Sequence, residues 1–199
     1  MIVLGLCGGS GSGKGTACSY FAELGIKIID TDAIYHELTS KDTPCLREIS
    51  SVFGDDVVTD GALNRKHLAA IVFSDKEMLM RLNEITHKHI LAEARRMISD
   101  AKSAGSPGAI VDAPVLFESG FDKECNLTMC IIADEEIRLE RIMGRDGISK
   151  EQAQRRLSSQ KSNEWLMANC DRHILNNTTP EELRRSVFDA AKEIFDIKF

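Results

Sequence analysis

The 199 residues contain no Lys/Arg excess, no C-x-x-C pair, no low-complexity tract and no internal repeat, and each absence removes a class of function. Lys and Arg total 25 against 31 Asp and Glu, a formal net charge of -6, whereas a chain built to grip nucleic acid needs a basic excess to neutralise phosphates. A local basic pocket for one anionic ligand stays compatible with that balance. The six cysteines, Cys7, Cys18, Cys45, Cys125, Cys130 and Cys170, have no histidine at zinc-ligand spacing, which argues against structural zinc. Cys7 and Cys130 lie in apolar runs, where a free thiol behaves as a small hydrophobe, so they read as buried and reduced. Ile2-Val3-Leu4 follows no charged run and meets glycine at Gly5; neither a signal peptide nor a membrane span is expected, and the cytoplasm is the default location. No coiled-coil heptads or extended apolar face fix an oligomeric state, and no Asn-Lys-x-Asp element for reading guanine occurs.

What is present is the composition of an ordinary soluble globular protein, 43% hydrophobic and 28% charged, with length for one sizeable core or one core with a small insertion. Ile2 to Cys7 is a short apolar run ending in glycines, and Thr16 to Leu24 reads as a helix closed by Gly25. A second strand, Ile26 to Asp30, leads into a helix opening at Thr31-Asp32-Ala33-Ile34. From about Ser40 to Ser103 the pattern is mostly helical, with Val57-Val58-Thr59 its only β-branched run, and Ser74-x-x-Glu77 reads as a capping box for its longest helix. Ser103 to Gly108 marks the exit. Ala109 to Asp112 and Leu127 to Ala133 are further strands, continuous in apolarity as expected of a parallel sheet covered on both faces.

Asp134 is read as capping a helix through Met143, Gly144-Arg145-Asp146-Gly147 as a hinge, and Ser149-x-x-Gln152 as a second capping box. Ile174-Leu175 is a last strand, and Thr179-Pro180-Glu181-Glu182 opens the C-terminal helix. The alternation predicts an α/β doubly wound, three-layer fold with a helical insertion.

Gly8-x-x-x-x-Gly13-Lys14 between strand and helix is a phosphate-binding loop: glycines without Cβ let backbone N–H groups approach a phosphate, and the helix N-terminus adds partial positive charge. Lys14 supplies a mobile cation. Gly15 stands in the usual Ser/Thr place with Thr16 after it, so Thr16 is the candidate for Mg²⁺ or its bound water. Asp30 and Asp32 fall at the carboxyl end of the second strand, where ligands bind in open α/β folds. Asp32 is the candidate general base for an attacking hydroxyl; the alternative for either carboxylate is a helix cap. Asp112 ends its strand in the manner of an acid holding a magnesium-bound water, or as a plain strand-end carboxylate. Arg138, Arg141 and Arg145 share one helix face with Arg155 and Arg156 beyond, suited to a closing lid or to surface pairing with Glu135, Glu136 or Glu140. His87 and His89 point to different helix faces, so they do not share a metal. Trp165 and Phe117-Glu118 read as packing elements.

Several segments together resemble the dephospho-CoA kinase family over nearly the whole chain. They are the run from Gly5 to Lys14; Leu24-Gly25-Ile26 through Asp30-Thr31-Asp32; Phe53-Gly54, Asp60-Gly61-x-Leu63-x-Arg65, Leu68, Val72-Phe73 and Ile85-Thr86-His87; and Asp112-Ala113-Pro114-Val115-Leu116-Phe117-Glu118. Arg141, Arg145-Asp146, Gln160 and Ile174-x-Asn176-Asn177 continue the likeness; Lys88 replaces a usual Pro, Thr178 a usual Gly, and Gly15 the family's Ser.

The resemblance implies a P-loop kinase fold: core at about 1–35, 104–135 and 170–199, CoA-binding helical insertion at about 36–103, lid at about 136–169. It implies transfer of the γ-phosphoryl group of ATP, with Mg²⁺, to the 3′-hydroxyl of dephospho-CoA. On this reading Asp32, Lys14, Arg141 and Arg145 are catalytic. Gly9, Gly11, Ser12, Gly13, Lys14, Gly15, Thr16, Asn176 and Asn177 bind ATP. Asp32, His87, Pro114, Leu116, Phe117 and Glu118 bind the acceptor, and Thr16 contacts the metal. Neither nucleic acid nor membrane is an expected partner.

Overall fold

The computed structural model describes residues 1–73 and 75–197. In chain order the elements are β1 (Ile2–Cys7), α1 (Lys14–Glu23), β2 (Lys27–Asp30), α2 (Thr31–Thr39), α3 (Pro44–Phe53), β3 (Val58–Thr59), β4 (Ala62–Leu63), α4 (Arg65–Val72), α5 (Lys76–Ser103), β5 (Gly108–Asp112), β6 (Leu127–Ile132), α6 (Glu135–Asp146), α7 (Lys150–Ser158), α8 (Asn163–Asn169), β7 (Arg172–Leu175) and α9 (Pro180–Phe195). Contacts divide them into two compact units, one made of Met1–Ile29 and Ile98–Phe199, the other of Asp30–Met97. No described helix is long and apolar enough to cross a membrane.

The first unit carries a five-stranded sheet of order β2-β5-β1-β6-β7, a mostly parallel sheet with helices on both sides. β1 sits at its centre, parallel to β5 with Leu4 opposite Ile110 and to β6 with Cys7 opposite Cys130; β7 runs parallel to β6. A central parallel strand is covered on both faces, which explains why β1, β5 and β6 are uninterrupted apolar runs rather than alternating ones. Leu4, Leu6, Ile110 and Ile131 join Ala17 and Phe21 of α1 and Val187, Ala191 and Phe195 of α9 in one core, where the Phe21 and Phe195 rings meet edge to face at 6.4 Å.

The second unit is helical apart from the short β3–β4 hairpin, and Leu46, Ile49, Phe53, Val57, Leu68, Leu82 and Ile85 form its own core. Ser74 of the expected capping box lies outside the described residues; the Asp75 side chain accepts the Glu77 and Met78 N–H groups at 2.8 and 3.3 Å. Those bonds satisfy donors that the first turn of α5 leaves without helical partners.

Two local expectations change. Asp134 stands at the N-cap of α6 without a side-chain cap bond, and its N–H donates instead to Asn177 Oδ1 at 2.8 Å. The expected hinge at residues 144–147 is mostly helix: α6 runs through Gly144 and ends at Asp146, with Gly147 as its left-handed C-cap. A helical Gly is unfavourable by only about 0.5–1 kcal/mol, and Asp146 secures the helix end by accepting from both Arg145 and Arg156. Those two guanidinium groups, Arg145 first, hold the Asp146 carboxyl down at about 2. The Ser149–Gln152 capping box and the Thr179–Pro180 start of α9 form as the sequence indicates.

Candidate active site

β1 ends at Cys7, the chain turns through residues 8–13, and α1 begins at Lys14. Gly13 occupies the N-cap at φ 93°, a left-handed conformation, and α1 has no side-chain cap bond. The first N–H groups of α1 therefore point out of the helix end together with its partial positive charge, an arrangement that attracts anions. A Cβ on Gly13 would run into the Asn176 amide, and one on Gly9 into the Arg138 guanidinium, so close approach restricts both positions to glycine, and at Gly13 the left-handed backbone does so as well. Gly15 differs: nothing lies within 4 Å of a Cβ built there.

The loop is held from behind by side chains far away in sequence. Arg138 Nε donates to the Ser10 carbonyl at 2.9 Å and its Nη2 to Gln160 Oε1 at 2.9 Å. Gln160 in turn grips Ser10 twice, Oε1 accepting its N–H at 2.9 Å and Nε2 donating to its hydroxyl at 2.8 Å. Arg141 Nη1 donates to the carbonyls of Gly11 at 3.3 Å and Asn176 at 3.0 Å, and Asn176 Nδ2 to that of Ser12 at 2.7 Å. Tying back three loop carbonyls keeps negative dipole ends away from the place where N–H groups gather. Arg138 is 5% exposed, and burial pulls its pKa down while Glu135 opposes that shift. A guanidinium is tolerated there because its fixed fork is satisfied by the loop and its braces.

Arg138→Met should therefore leave the Ser10 carbonyl without its donor and take one of two donors from Gln160 Oε1, whose bonds to Ser10 remain. The expected cost is about 2–4 kcal/mol, read as a Tm lower by roughly 5–10 °C together with weaker binding of a phosphate anion at the loop. An unchanged Tm would show that the loop does not depend on this clamp.

Lys14 Nζ pairs with Asp112 Oδ1 at the end of β5, with side chains 17% and 10% exposed, and the Cys18 thiol donates to the other carboxylate oxygen at 3.4 Å. The loop cation and the strand-end acid, separate candidates in the sequence, are one ion pair. Beside the loop opens a cavity of about 550 Å³ lined by Gly8, Gly9, Pro114, Val115, Phe117, Glu118, Gln160, Lys161 and Trp165, among others. Phe117 and Trp165 meet edge to face at 5.1 Å, and Lys161 Nζ lies 4.5 Å from the Trp165 ring centre. Leu116, expected among acceptor contacts, has no exposed surface and packs under Gly5, because the tight turn sends it into the core while its neighbours face the cavity.

Other expected residues fall as follows. Asn176 and Asn177 act through the backbone, Asn176 on the loop and Asn177 on the start of α6. Arg145 forks onto Asp146 at 2.7 and 3.0 Å. Thr16 lies exposed in the first turn of α1, and the Ser12 hydroxyl is buried with no hydrogen-bond partner among the described residues. In the second unit, Asp30 caps α2 by accepting from the Asp32 and Ala33 N–H groups at 2.9 and 3.0 Å, so the capping role falls to Asp30. Asp32 is exposed in the first turn of α2, and His87 is half-exposed on α5. Glu48 binds Lys88 and His89, which hold its carboxyl below the usual range.

Among the described residues no group of three or more His, Cys, Asp or Glu is placed to hold a metal. Besides the Ser10 and Ser12 hydroxyls, the oxygen donors at the loop are the Thr16 hydroxyl and the Asp112 carboxylate, a sparse hard-donor set. Such a set suits a divalent cation that keeps several waters and takes further ligands from nucleotide phosphates.

A family model described as dephospho-CoA kinase matches residues 2–182. The dephospho-CoA kinase of Fusobacterium nucleatum is 38% identical over 94% of this chain and 95% of its own, and that of Corynebacterium efficiens 36% over 92% of each. Among solved structures, the dephospho-CoA kinase from Campylobacter jejuni superposes with a TM-score of 0.73 at 28% identity, covering 98% of this chain and 97% of its own. A shikimate kinase from Acinetobacter baumannii, at TM-score 0.54 and 17% identity over 98% of this chain and 94% of its own, shares the fold.

Proposed function

The chain belongs to the dephospho-CoA kinase family, and on that premise we propose how its residues divide the work of the reaction. The enzyme transfers the γ-phosphoryl group of ATP to the 3′-hydroxyl of dephospho-CoA, giving coenzyme A and ADP, the final step of coenzyme A synthesis. Phosphoryl transfer leaves little covalent chemistry to the protein, so its contribution is positioning and charge stabilisation.

The observation that carries the assignment of roles is the Lys14–Asp112 pair at the foot of a phosphate loop. A nearly buried carboxylate needs a counter-charge. When ATP phosphates settle on the N–H groups of residues 9–16, Lys14 moves from Asp112 to the phosphate oxygens, where it neutralises charge that grows during transfer. Asp32 accepts the proton of the attacking 3′-hydroxyl. Arg141 keeps the loop shaped for the phosphates and shares its charge with them, and Arg145, once released from Asp146, adds a second guanidinium from the lid at about 136–169. Asn176 and Asn177 support ATP binding through the loop and α6. Pro114, Phe117 and Glu118 border the acceptor's place, and His87 contributes from the insertion at about 36–103.

The metal is Mg²⁺, with Thr16 and Asp112 as the protein oxygens that fit it; it supplies charge neutralisation at the phosphates. The enzyme works in the cytoplasm. A Ser at position 15 has room, so Gly15→Ser should lower the Mg²⁺ concentration for half-maximal rate, while Thr16→Val should raise it.

The test is ADP formation with and without dephospho-CoA. Dephospho-CoA should raise the rate by at least tenfold over ATP alone, EDTA should abolish it and Mg²⁺ restore it. A rate raised by nucleosides or shikimate but not by dephospho-CoA would refute the assignment.

A further inference from the structure

Three cysteines of the first unit converge beside the phosphate loop, and the phosphoryl-transfer chemistry uses none of them. Cys7 is the last residue of β1, immediately before Gly8. Cys130 stands opposite it in the β1–β6 register. Cys170 caps the C-terminal end of α8 just before β7, and its sulfur lies 3.5 Å from that of Cys7. Cys7 and Cys130 are buried and Cys170 is half-exposed, so small oxidants reach the cluster through Cys170.

We propose that Cys170 is a site of reversible oxidative modification by peroxides, and that Cys7 captures the oxidised sulfur as a disulfide that ties the anchor of the phosphate loop to α8.

The chemistry of the cluster suits a division between attacking and resolving sulfur. The thiol groups of Cys130 and Cys7 donate towards Cys170 and favour its thiolate, as does the Thr128 hydroxyl, while burial and Asp171 oppose them; the pKa of Cys170 is lowered and those of Cys7 and Cys130 are raised. Lys14 weakly favours the charged form of Cys7. The thiolate is the form that attacks peroxide. Its sulfur attacks one oxygen of hydrogen peroxide, the O–O bond breaks, an S–OH bond forms and hydroxide leaves; sulfur is oxidised and peroxide reduced. The Cys7 thiol gives its proton to that hydroxide, making water, and its sulfur attacks the Cys170 sulfur. The S–O bond breaks, the S–S bond forms, and the second oxygen leaves as water after taking up a proton from solvent, which replaces the one Cys170 lost on ionising. Two thiols and one peroxide become one disulfide and two waters, and a dithiol reverses the change by exchange.

The effect on the site follows from what the two sulfurs are attached to. A disulfide spans about 2.05 Å, so the sulfurs close by about 1.5 Å from their 3.5 Å separation. Gly8 has little slack, since even a Cβ there would strike the Ile131 carbonyl. On the other side α8 carries Trp165 and Leu166 into the wall of the cavity that Gly8 and Gly9 share. Displacements of this size in positioning elements cost up to about 100-fold in rate.

The full-length enzyme is treated with hydrogen peroxide, alkylated, digested and analysed by mass spectrometry, with ATP binding and turnover measured in parallel. A peptide linking Cys7 to Cys170 should appear, ATP affinity and turnover should fall together by about tenfold or more, and a dithiol should restore both. Cys45 and Cys125, whose thiols burial pushes up to about 11 and about 12, should stay unmodified over the same time. Cys170→Ser, or Cys170→Ala if the serine variant does not fold, should remove both the link and the peroxide sensitivity. A link from Cys170 to Cys130, no link at all, or a Cys170 variant as sensitive as the parent enzyme would overturn the proposal. The link and ATP binding are read without an acceptor, so their failure is separable from failure of the kinase assignment.

Discussion

Asp32→Asn is expected to lower kcat by about 100- to 10,000-fold while the KM for ATP stays close to that of the parent enzyme. The amide keeps the shape of the side chain and loses the capacity to take a proton, so the loss falls on the chemical step. Asp30, two residues earlier, supplies the contrast. Its carboxylate is the N-cap of α2, accepting from the N–H groups of Asp32 and Ala33. Asp30→Ala therefore removes a cap worth about 1 kcal/mol and appears mainly in Tm. Steady-state kinetics and thermal melts on the two variants separate the base from the cap. Near-normal turnover in Asp32→Asn would remove it as the base.

Lys14→Met is expected to lower kcat by about 100- to 1,000-fold, the usual loss when one fixed charge-stabilising group is taken from a transition state. It also leaves Asp112 nearly buried without its ammonium partner, and breaking such a pair from one side destabilises by about 3–5 kcal/mol. The two effects come apart in the double variant Lys14→Met/Asp112→Asn. Neutralising the orphaned carboxylate should recover most of the lost Tm and none of the lost kcat. A double variant that regains turnover would mean that Lys14 serves only to neutralise Asp112.

The parts legible in the sequence were those written in local pattern. The strand, glycine turn and helix around Gly8 to Lys14 follow from an apolar run, small residues and one lysine, and β5 and β6 from their unbroken apolarity. The bracing of the loop was not legible, because it joins residues about 130 positions apart: Arg138 looks like its neighbours Arg141 and Arg145 on a helical wheel, yet only the fold buries it under Ser10. The meeting of Lys14 with Asp112 has the same cause, since β1 and β5 are neighbours in the sheet and 98 residues separate the pair. Leu116 was misplaced because a motif read along the chain does not say which side of a tight turn faces inward. Trp165 reads in the sequence only as a packing residue, because Lys161 lies outside α8 and no helical spacing announces that its ammonium sits over the ring.

The position of the new phosphate on the product tests the central claim most directly. After incubation of the enzyme with ATP, Mg²⁺ and dephospho-CoA, phosphorus NMR and mass spectrometry should show one product carrying a phosphomonoester on the ribose 3′-oxygen, formed in step with ADP. A phosphate at any other oxygen, or ADP released without a phosphorylated acceptor, would contradict it.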